Sequence, residues 1–382
     1  MTDKVGDMPE WEVTFDLDLD LQDAVLNRAL IEATALARAI HGLPLPPAVR
    51  ARLNRLNIIR AVHGTTGIEG STLSEEEVGQ ILGSASAGRV LPMARAREEQ
   101  EARNAASVLE FVSATLRAEP DRPLDEAMIC RIHELTTLGI DYPNNEPGKY
   151  RSHAVTAGDY VPPRSASDVR RLMGLFVRWL NTPPASNWPP IARAIAAHFY
   201  FISVHPFGDG NGRTARSLES FLLYQAKVNA LGFYSLANFY YRNRASYVER
   251  LDDVRFGARG LTSFVSFAAE GLVDELRASF DEVLAEATLI AFRDYAREQL
   301  DATGKSGTPA GTRLTKFLTM LGRDVIDFAA IRRRTHPYSQ AFLGVSDKTL
   351  TRDMEFLETH NLIDRSDGKI RARLDVMDQF KD

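Results

Sequence analysis

A twelve-residue stretch, 205–216, constrains this chain more than any other part of its sequence. It reads His-Pro-Phe-Gly-Asp-Gly-Asn-Gly-Arg-Thr-Ala-Arg, with one imidazole, one carboxylate, three glycines and two arginines. After Arg216 the apolar residues recur at helical spacing, as Leu218, Phe221, Leu222 and Tyr224. The stretch therefore predicts a glycine-rich loop that turns into the N-terminus of a helix, where free backbone N–H groups and the helix dipole favour an anion.

The residues around this predicted helix start suit a phosphate. Glycines at 210 and 212 let the backbone approach an anion without an intervening Cβ, and Asn211 tolerates an unusual backbone conformation. Arg213 and Arg216 are three residues apart, so both can face one side of the first helical turn and bind phosphate oxygens. The pattern predicts a site for a polyphosphate.

Two further side chains of the stretch could do chemistry on that phosphate. Asp209 offers a hard carboxylate oxygen that could hold Mg²⁺ against phosphates. His205 titrates near neutral pH and could take a proton from an attacking hydroxyl. Together the parts predict transfer of a group from a nucleoside triphosphate to a hydroxyl.

The stretch resembles the signature of the Fic family, His-x-Phe-x-Asp/Glu-Gly-Asn-Gly-Arg-x-x-Arg, with every fixed position present. Fic proteins mostly transfer AMP from ATP to a Ser, Thr or Tyr hydroxyl of a protein. The resemblance implies His205 as general base, Asp209 as the Mg²⁺ ligand and Arg216 on the γ-phosphate. Phosphorylating relatives carry lysine at the second glycine, so Gly212 favours the AMP-transferring branch. The implied nucleotide- and phosphate-binding residues are Asp209, Gly210, Asn211, Gly212, Arg213, Thr214, Ala215, Arg216 and, as an adenine contact, Tyr247.

An upstream segment resembles the inhibitory helix that one class of Fic proteins carries at the N-terminus. That helix has the pattern Ser/Thr-x-x-x-Glu-Gly/Asn, which Thr65, Glu69 and Gly70 match. The resemblance implies that the Glu69 carboxylate pairs with Arg216 and so removes the cation that should hold the γ-phosphate. Some relatives use the same glutamate to position a water molecule that removes AMP, and this alternative stays open.

A second segment resembles the hairpin, called the flap, with which Fic proteins clamp a target segment by strand addition. It covers 151–163, with extended residues at 154–156, a turn at Gly158-Asp159 and extended residues again at Tyr160-Val161. The flap residues implied beside the active site are Ala157, Gly158, Asp159 and Tyr160.

The rest of the chain predicts a mostly α fold: a Fic helical core with a small β-hairpin flap, and a C-terminal winged-helix domain. Ser74 and Glu77 form the pattern of a helix capping box. Apolar periodicity predicts helices at 21–40, 48–63, 95–117, 125–138, 167–180, 189–200, 261–273 and onward to about 300. The predicted organisation is an N-terminal helical region over 1–110 with the inhibitory helix at about 47–70, a catalytic core over 111–300, a linker over 301–311 and the winged helix over 312–382.

The predicted winged helix leaves its partner open. Its third helix carries Lys348, Thr351 and Arg352 as candidate DNA contacts, with 332–334 as further arginines. However, 312–382 contains 13 basic and 11 acidic residues, which is a weak positive charge for a DNA-binding domain. Contact with a protein and dimerisation are equally compatible with this composition.

Composition excludes other classes. A formal net charge of −5 and 25 % charged residues indicate neither a nucleic-acid-binding tail nor a membrane-surface protein. Cys130 is the only cysteine, which fits a reducing compartment. No secretory signal and no apolar run long enough for a bilayer are apparent, so a cytoplasmic location without a membrane partner is expected. His133 is expected to be a packed residue, and His198 either a core residue or, with His205 and Asp209, part of a transition-metal site.

The sequence thus predicts a nucleotidyltransferase that AMPylates proteins, is autoinhibited by Glu69, and uses ATP with Mg²⁺. Its target is an unknown protein, which could be another copy of itself, and a homodimer is possible. Two alternatives stay open: a de-AMPylase that uses Glu69, and a nucleotide-sensing regulator that binds DNA.

Overall fold

The computed structural model describes residues 12–84, 90–228 and 236–380. Within these residues the protein is mostly helical, as predicted. The α-helices are α1 Ala24–Gly42, α2 Pro47–Ile68, α3 Glu75–Gly83, α4 Ala96–Ala118, α5 Glu126–Thr137, α6 Ala166–Asn181, α7 Pro190–Val204, α8 Asn211–Gln225, α9 Leu236–Arg242, α10 Arg244–Arg255, α11 Leu261–Ala302, α12 Pro309–Leu321, α13 Phe328–Arg332 and α14 Asp347–Thr359. The strands are β1 Ile326–Asp327, β2 Ile363–Ser366 and β3 Lys369–Ala372.

Several of these helices begin where the local sequence supplies a cap. Ser74 accepts from the Glu77 N–H at 3.1 Å, and the Glu77 carboxylate accepts from the Ser74 N–H at 2.9 Å. This confirms the predicted capping box at the start of α3. Asp125 and Ser165 cap α5 and α6 in the same way, each accepting from the N–H three residues ahead. These caps satisfy N–H groups that the helix itself leaves unpaired.

Chain contacts divide the protein into two units: residues 1–42 with 46–280, and residues 43–45 with 281–382. The division falls inside α11, which is a single 42-residue helix where the sequence predicted two. The predicted domain boundaries at 110 and 300 stay predictions, and the connection between Ala302, where α11 ends, and Pro309, where α12 starts, lies within the predicted linker over 301–311.

Helix α7 lies at the centre of the first unit. Nearly every residue from Ile191 to Val204 is buried, so this helix is enclosed on all sides, as expected for an apolar helix without a polar face. It packs against α6 and α8. His205, at the end of α7, and the start of α8 are therefore both attached to this buried core.

Helix α2 lies against α9, and a glycine allows the close approach. A Cβ built on Gly64 would lie 2.7 Å from the Asn238 Cα and backbone nitrogen, closer than real side chains come. One turn later, Gly67 lies under the ring of Tyr241. The Arg244 Nε then donates to the Ile68 carbonyl at 3.1 Å and fixes the end of α2. The position of the next residue, Glu69, depends on this packing of α2 against α9.

Replacing Gly64 by alanine is expected to destabilise the protein. Because the overlapping atoms belong to the α9 backbone, one helix must shift, and overpacking of this kind costs about 1–3 kcal/mol. Chemical denaturation measures the free energy of unfolding. Gly79→Ala in α3 is the matched control: its Cβ would meet Ile59 at an ordinary 3.5 Å, so helix propensity should stabilise it by about 0.5–1 kcal/mol. A Gly64→Ala protein as stable as the Gly79→Ala protein would contradict the claim that α2 and α9 need a glycine at their contact.

The second unit contains α12, α13, α14 and a three-stranded antiparallel sheet in the order β1-β3-β2. Strand β3 pairs with both others, Ile370 facing Ile326 on one side and Arg365 on the other. Asp367 and Gly368 form the β2–β3 turn with positive φ at both positions, as is typical of an Asp-Gly hairpin turn. Helix α14 begins at Asp347. These elements are those of a winged helix, and that assignment stays a prediction.

The helices of the described residues are too short or too polar to span a membrane.

Candidate active site

The predicted catalytic stretch forms the connection between α7 and α8. His205 ends α7 in the left-handed conformation, with φ 50° and ψ 58°, and Pro206 behind it disfavours continuation of the helix. Gly210 also adopts a left-handed conformation, φ 74°, which glycine adopts without strain, and α8 starts at Asn211. The structure thus has the predicted loop followed by a helix N-terminus.

The conformation of this loop is fixed by Asn211. Its side-chain oxygen accepts from the Phe207 N–H and its side-chain nitrogen donates to the Phe207 carbonyl, both at 2.9 Å. The sequence predicted that Asn211 tolerates an unusual backbone conformation, and the structure does not use that tolerance. Asn211 is helical, and the positive φ angles belong to His205 and Gly210. The amide side chain is needed because it reproduces a strand-like pair of bonds within the loop.

His133 holds the same loop from α5. It is fully buried, and its ring stacks on Phe207 with centroids 3.6 Å apart. Its Nδ1 accepts from the Gly148 N–H at 2.9 Å, so the proton sits on Nε2, which donates to the Asp209 carbonyl at 3.0 Å. Burial lowers the pKa of His133 to about 4, which keeps this neutral tautomer at physiological pH. The predicted packed role is what the structure shows.

Asp209 lies beside the first turn of α8. Its carboxylate Oδ1 accepts from the Gly210 N–H and lies 3.3 Å from Arg213 Nη2, and its side chain is 41 % exposed. Within the described residues there is no group of three His, Cys, Asp or Glu side chains that could hold a metal ion by themselves. One accessible carboxylate fits Mg²⁺, which typically takes one or two protein carboxylates and completes its shell with phosphates and water.

Arg213 is almost fully buried, in contacts that the sequence did not indicate. Its Nη1 lies 3.3 Å from the Glu101 carboxylate and donates to the Tyr142 hydroxyl at 2.6 Å. The same hydroxyl donates to Glu101 at 2.7 Å. Glu101 comes from α4, and no local pattern distinguishes it from other helical glutamates, so only the fold could have identified this partner. These contacts fix Arg213 beside the N-terminus of α8.

Arg216 is held by the segment that resembles the inhibitory helix. Its Nη2 pairs with the Glu69 carboxylate at 2.5 Å and also donates to the Thr65 carbonyl at 3.0 Å, while its Nε donates to the Thr65 hydroxyl at 2.8 Å. Arg216 is 2 % exposed and Glu69 36 %. Burial alone would raise the pKa of Glu69, but the cations of Arg216 and Arg213 outweigh it and hold the pKa below its usual range. The contact is therefore an ion pair at neutral pH.

Gly212 has a structural role beside the phosphate contact predicted for it, and that contact stays a prediction. It is helical, and a Cβ at this position would overlap the Glu69 carboxylate oxygen and crowd Arg216 Nη1. The absence of a side chain at Gly212 is thus what lets Glu69 reach Arg216. A longer side chain there, such as lysine, is incompatible with this resting arrangement.

His205 presents one nitrogen for proton transfer. Its Nδ1 lies 3.2 Å from the Ile202 carbonyl, and because a carbonyl only accepts, Nδ1 carries the proton and Nε2 the lone pair. Burial lowers the pKa of the imidazole to about 4, with Arg255 and Arg151 acting in the same direction and Glu69 against them. The ring is therefore neutral at physiological pH, the state that a general base requires.

The flap is shorter than the sequence predicted. The structure has a single antiparallel bridge between Ala157 and Tyr160 around the Gly158-Asp159 turn, and no strand at 154–156. Tyr160 is 2 % exposed, with its hydroxyl donating to the Ser203 carbonyl at 2.8 Å. Its side chain therefore anchors the turn to α7 and does not face outward.

Tyr247 and His198 lie behind the site. His198 is fully buried and its Nε2 bonds the Tyr247 hydroxyl at 2.9 Å. The Tyr247 ring is 4 % exposed and packs on Tyr240, with centroids 4.6 Å apart. Stacking of adenine on Tyr247 would require this packing to open, and the contact stays a prediction.

The chain is similar to known proteins over the region that contains this site. Residues 123–223 match the model of the Fic/DOC family. A protein adenylyltransferase fic-1 of Caenorhabditis briggsae is 28 % identical over 261 residues, which cover 67 % of this chain and 50 % of that protein. The chain thus spans about half the length of such curated relatives.

Solved structures show the same architecture. A structure of Fic-1 from C. elegans is 26 % identical, with a TM-score of 0.59 over 70 % of this chain and 75 % of the other. A Fic family protein from Desulfovibrio desulfuricans shares the fold over 96 % of this chain and 98 % of the other, with 20 % identity and a TM-score of 0.56. With the signature complete and its loop and helix assembled around His205, this chain contains a Fic domain.

Proposed function

We propose that this chain is a protein adenylyltransferase, which transfers AMP from Mg·ATP to a Ser, Thr or Tyr hydroxyl of a protein. The observation that carries the proposal is the state of His205: Nδ1–H is committed to the Ile202 carbonyl, so Nε2 can accept a proton close to the amides that open α8. The similar proteins from Caenorhabditis briggsae and C. elegans are named protein adenylyltransferases, which supports the same reaction.

In this reaction the target hydroxyl oxygen attacks the α-phosphorus of ATP. Its proton passes to His205 Nε2, a P–O bond forms to the target, and the bond to pyrophosphate breaks. The unpaired N–H groups at the start of α8 and its dipole stabilise the phosphate charge. Asp209 would hold Mg²⁺, which supplies neutralisation of the polyphosphate when bound. Arg213 and Arg216 are the cations for the phosphate oxygens.

The proposal includes inhibition by Glu69. Its carboxylate already pairs with Arg216 at 2.5 Å, beside Gly212 in the first turn of α8. A γ-phosphate at Arg216 would have to displace this carboxylate or lie next to its negative charge. ATP would then bind in a pose unsuited to in-line attack on the α-phosphorus. The packing of α2 against α9 keeps Glu69 at Arg216 and so maintains the inhibited state.

The proposal is tested with ATP labelled in the α- or the γ-phosphate, incubated with the Glu69→Gly protein and Mg²⁺, with and without a protein extract as acceptor. AMP transfer attaches the α-label to protein and leaves the γ-label in pyrophosphate. Chelation of Mg²⁺ with EDTA is expected to abolish transfer. Attachment of the γ-label instead would establish phosphorylation and overturn the proposal.

The pH dependence of transfer is expected to reflect the lowered pKa of His205. A base must be unprotonated, so the rate falls as pH falls through its pKa, here about 4 in place of the usual 6.5. At pH 5.5 an ordinary histidine would be about 90 % protonated, whereas His205 should remain largely neutral. The measurement is kcat/KM for labelling between about pH 4.5 and 8, and circular dichroism confirms that the protein is folded at each pH. An acidic limb near pH 6.5 would contradict this environment for His205.

Several candidate DNA contacts of the second unit have acidic neighbours. Arg332 and Arg334 each lie 3.5 Å from an oxygen of Asp347, at the N-terminus of α14, and Arg371 pairs with Asp364 at 2.7 Å. This pairing alone does not exclude phosphates, since Arg216 of the proposed nucleotide site is also paired with a carboxylate. The winged-helix assignment and its partner stay predictions.

A further inference from the structure

The last turn of α7 leaves backbone carbonyls that have no hydrogen-bond partner within the helix. His205 is the residue that ends this turn. Such carbonyls are normally satisfied by glycine-based caps, water or cations. Here the end is buried and the C-cap residue is a histidine at positive φ, a conformation that L-residues rarely adopt. Something outside the helix must therefore hold this end in place.

Arg151, at the start of the flap segment, supplies most of that support. Its Nε donates to the His205 carbonyl at 2.8 Å, and its backbone N–H donates to the Pro206 carbonyl at 2.9 Å. The same guanidinium donates to the carbonyls of His153 at 2.8 Å and Pro163 at 2.6 Å, on either side of the flap turn. One side chain, 4 % exposed as a residue, thus binds both ends of the flap and the backbone of the base.

Two more contacts join the flap to α7. The Tyr160 hydroxyl donates to the Ser203 carbonyl at 2.8 Å. The Arg255 guanidinium lies over the Tyr160 ring, 4.1 Å from its centroid, and donates to the Ile202 carbonyl at 3.3 Å and the Ser203 hydroxyl at 3.2 Å. We call Arg151, Tyr160 and Arg255 the clamp. A guanidinium suits this task because its five donors have a fixed planar geometry and favour the negative end of a helix.

We propose that Arg151 and Tyr160 are positioning residues that join the flap and His205 into one mechanical unit, with Arg255 supporting Tyr160. This inference rests on the proposed function, since it assigns His205 as the base. A target segment that pairs with the flap then acts on Arg151 and Tyr160, the same side chains that orient the imidazole. The same contacts thereby set the position of the imidazole relative to a hydroxyl presented by the flap.

The test compares Tyr160→Phe and Arg151→Lys in a Glu69→Gly background. Tyr160→Phe keeps the ring under Arg255 and removes one buried hydrogen bond, so kcat for labelling should fall about fivefold. Arg151→Lys keeps the charge but cannot hold the carbonyls of His205, His153 and Pro163 together, and misplacement of the base should lower kcat about 100-fold. KM for Mg·ATP should change less than about twofold, because the clamp does not contact the start of α8. Arg170→Lys, on the exposed side of α6, is the matched control.

A second readout does not depend on activity. Amide hydrogen exchange, measured by mass spectrometry, should show that Tyr160→Phe lowers protection in peptides covering 201–207 as well as in the flap, with α8 peptides unchanged. A flap-only effect would mean that Tyr160 serves the turn alone and would overturn the proposal, as would an unchanged kcat in both variants. If the Glu69→Gly parent transfers no label, the proposed function fails while the exchange pattern still decides whether the clamp holds the backbone of His205.

Discussion

Glu69→Gly is expected to raise protein labelling by Mg·ATP about 5- to 150-fold, the range of a coupling free energy of about 1–3 kcal/mol. The reason is the 2.5 Å ion pair that occupies Arg216 in the resting state. Removing the carboxylate takes away the anionic partner of the guanidinium, which still donates to Thr65, and removes a negative charge from the first turn of α8. Initial rates of incorporation of α-labelled phosphate measure the effect.

Two variants separate charge from general damage. Glu69→Gln keeps the size of the side chain and one hydrogen bond to Arg216 but removes the charge, so its rate should lie between wild type and Glu69→Gly. Glu75→Gly removes an exposed carboxylate from the first turn of α3 and should behave as wild type. A Glu69→Gly protein no faster than wild type would show that the ion pair does not limit transfer.

His205→Ala in the Glu69→Gly background is expected to lower transfer about 100- to 10,000-fold, the usual contribution of a general base. In the proposed reaction the imidazole accepts the proton of the target hydroxyl at Nε2, and alanine offers no group that could accept it. Rates of label incorporation measure the loss, and ATP affinity, measured by calorimetry, should remain within about threefold because the α8 amides are untouched.

His41→Ala is the control for this substitution, since His41 is an exposed residue at the end of α1. Loss of ATP binding together with loss of transfer in His205→Ala would point to a collapsed loop. In that case the melting temperature of the variant decides between a missing base and a damaged fold. Retention of transfer at more than about a tenth of the parent rate would remove His205 as the base.

The local features of this site could be predicted from sequence because they depend on neighbours in the chain. The loop, the start of α8 and the capping box at Ser74 each follow from residues within a few positions. The long-range partners could not. Glu101 reaches Arg213 from α4, and Arg255 reaches the end of α7 from α10, and neither position has a local pattern that sets it apart.

The flap shows how a long-range contact can defeat a local pattern. The residues between Arg151 and Pro163 include a Gly-Asp turn flanked by residues predicted to be extended, but a hairpin also needs paired backbone groups. The carbonyls of His153 and Pro163 accept from the Arg151 side chain, and Pro162 and Pro163 have no N–H to give. Only the bridge between Ala157 and Tyr160 remains. The same guanidinium that supports His205 thus limits the strands of the flap.

The most direct test of the account is the intact mass of the protein after incubation with Mg·ATP, for wild type, Glu69→Gly and Glu69→Gly/His205→Ala. A covalent mass increase equal to one or more AMP groups is expected in Glu69→Gly, with little increase in wild type and none in the double variant. An increase equal to phosphate alone, or an AMP increase of the same size in the double variant, would contradict it.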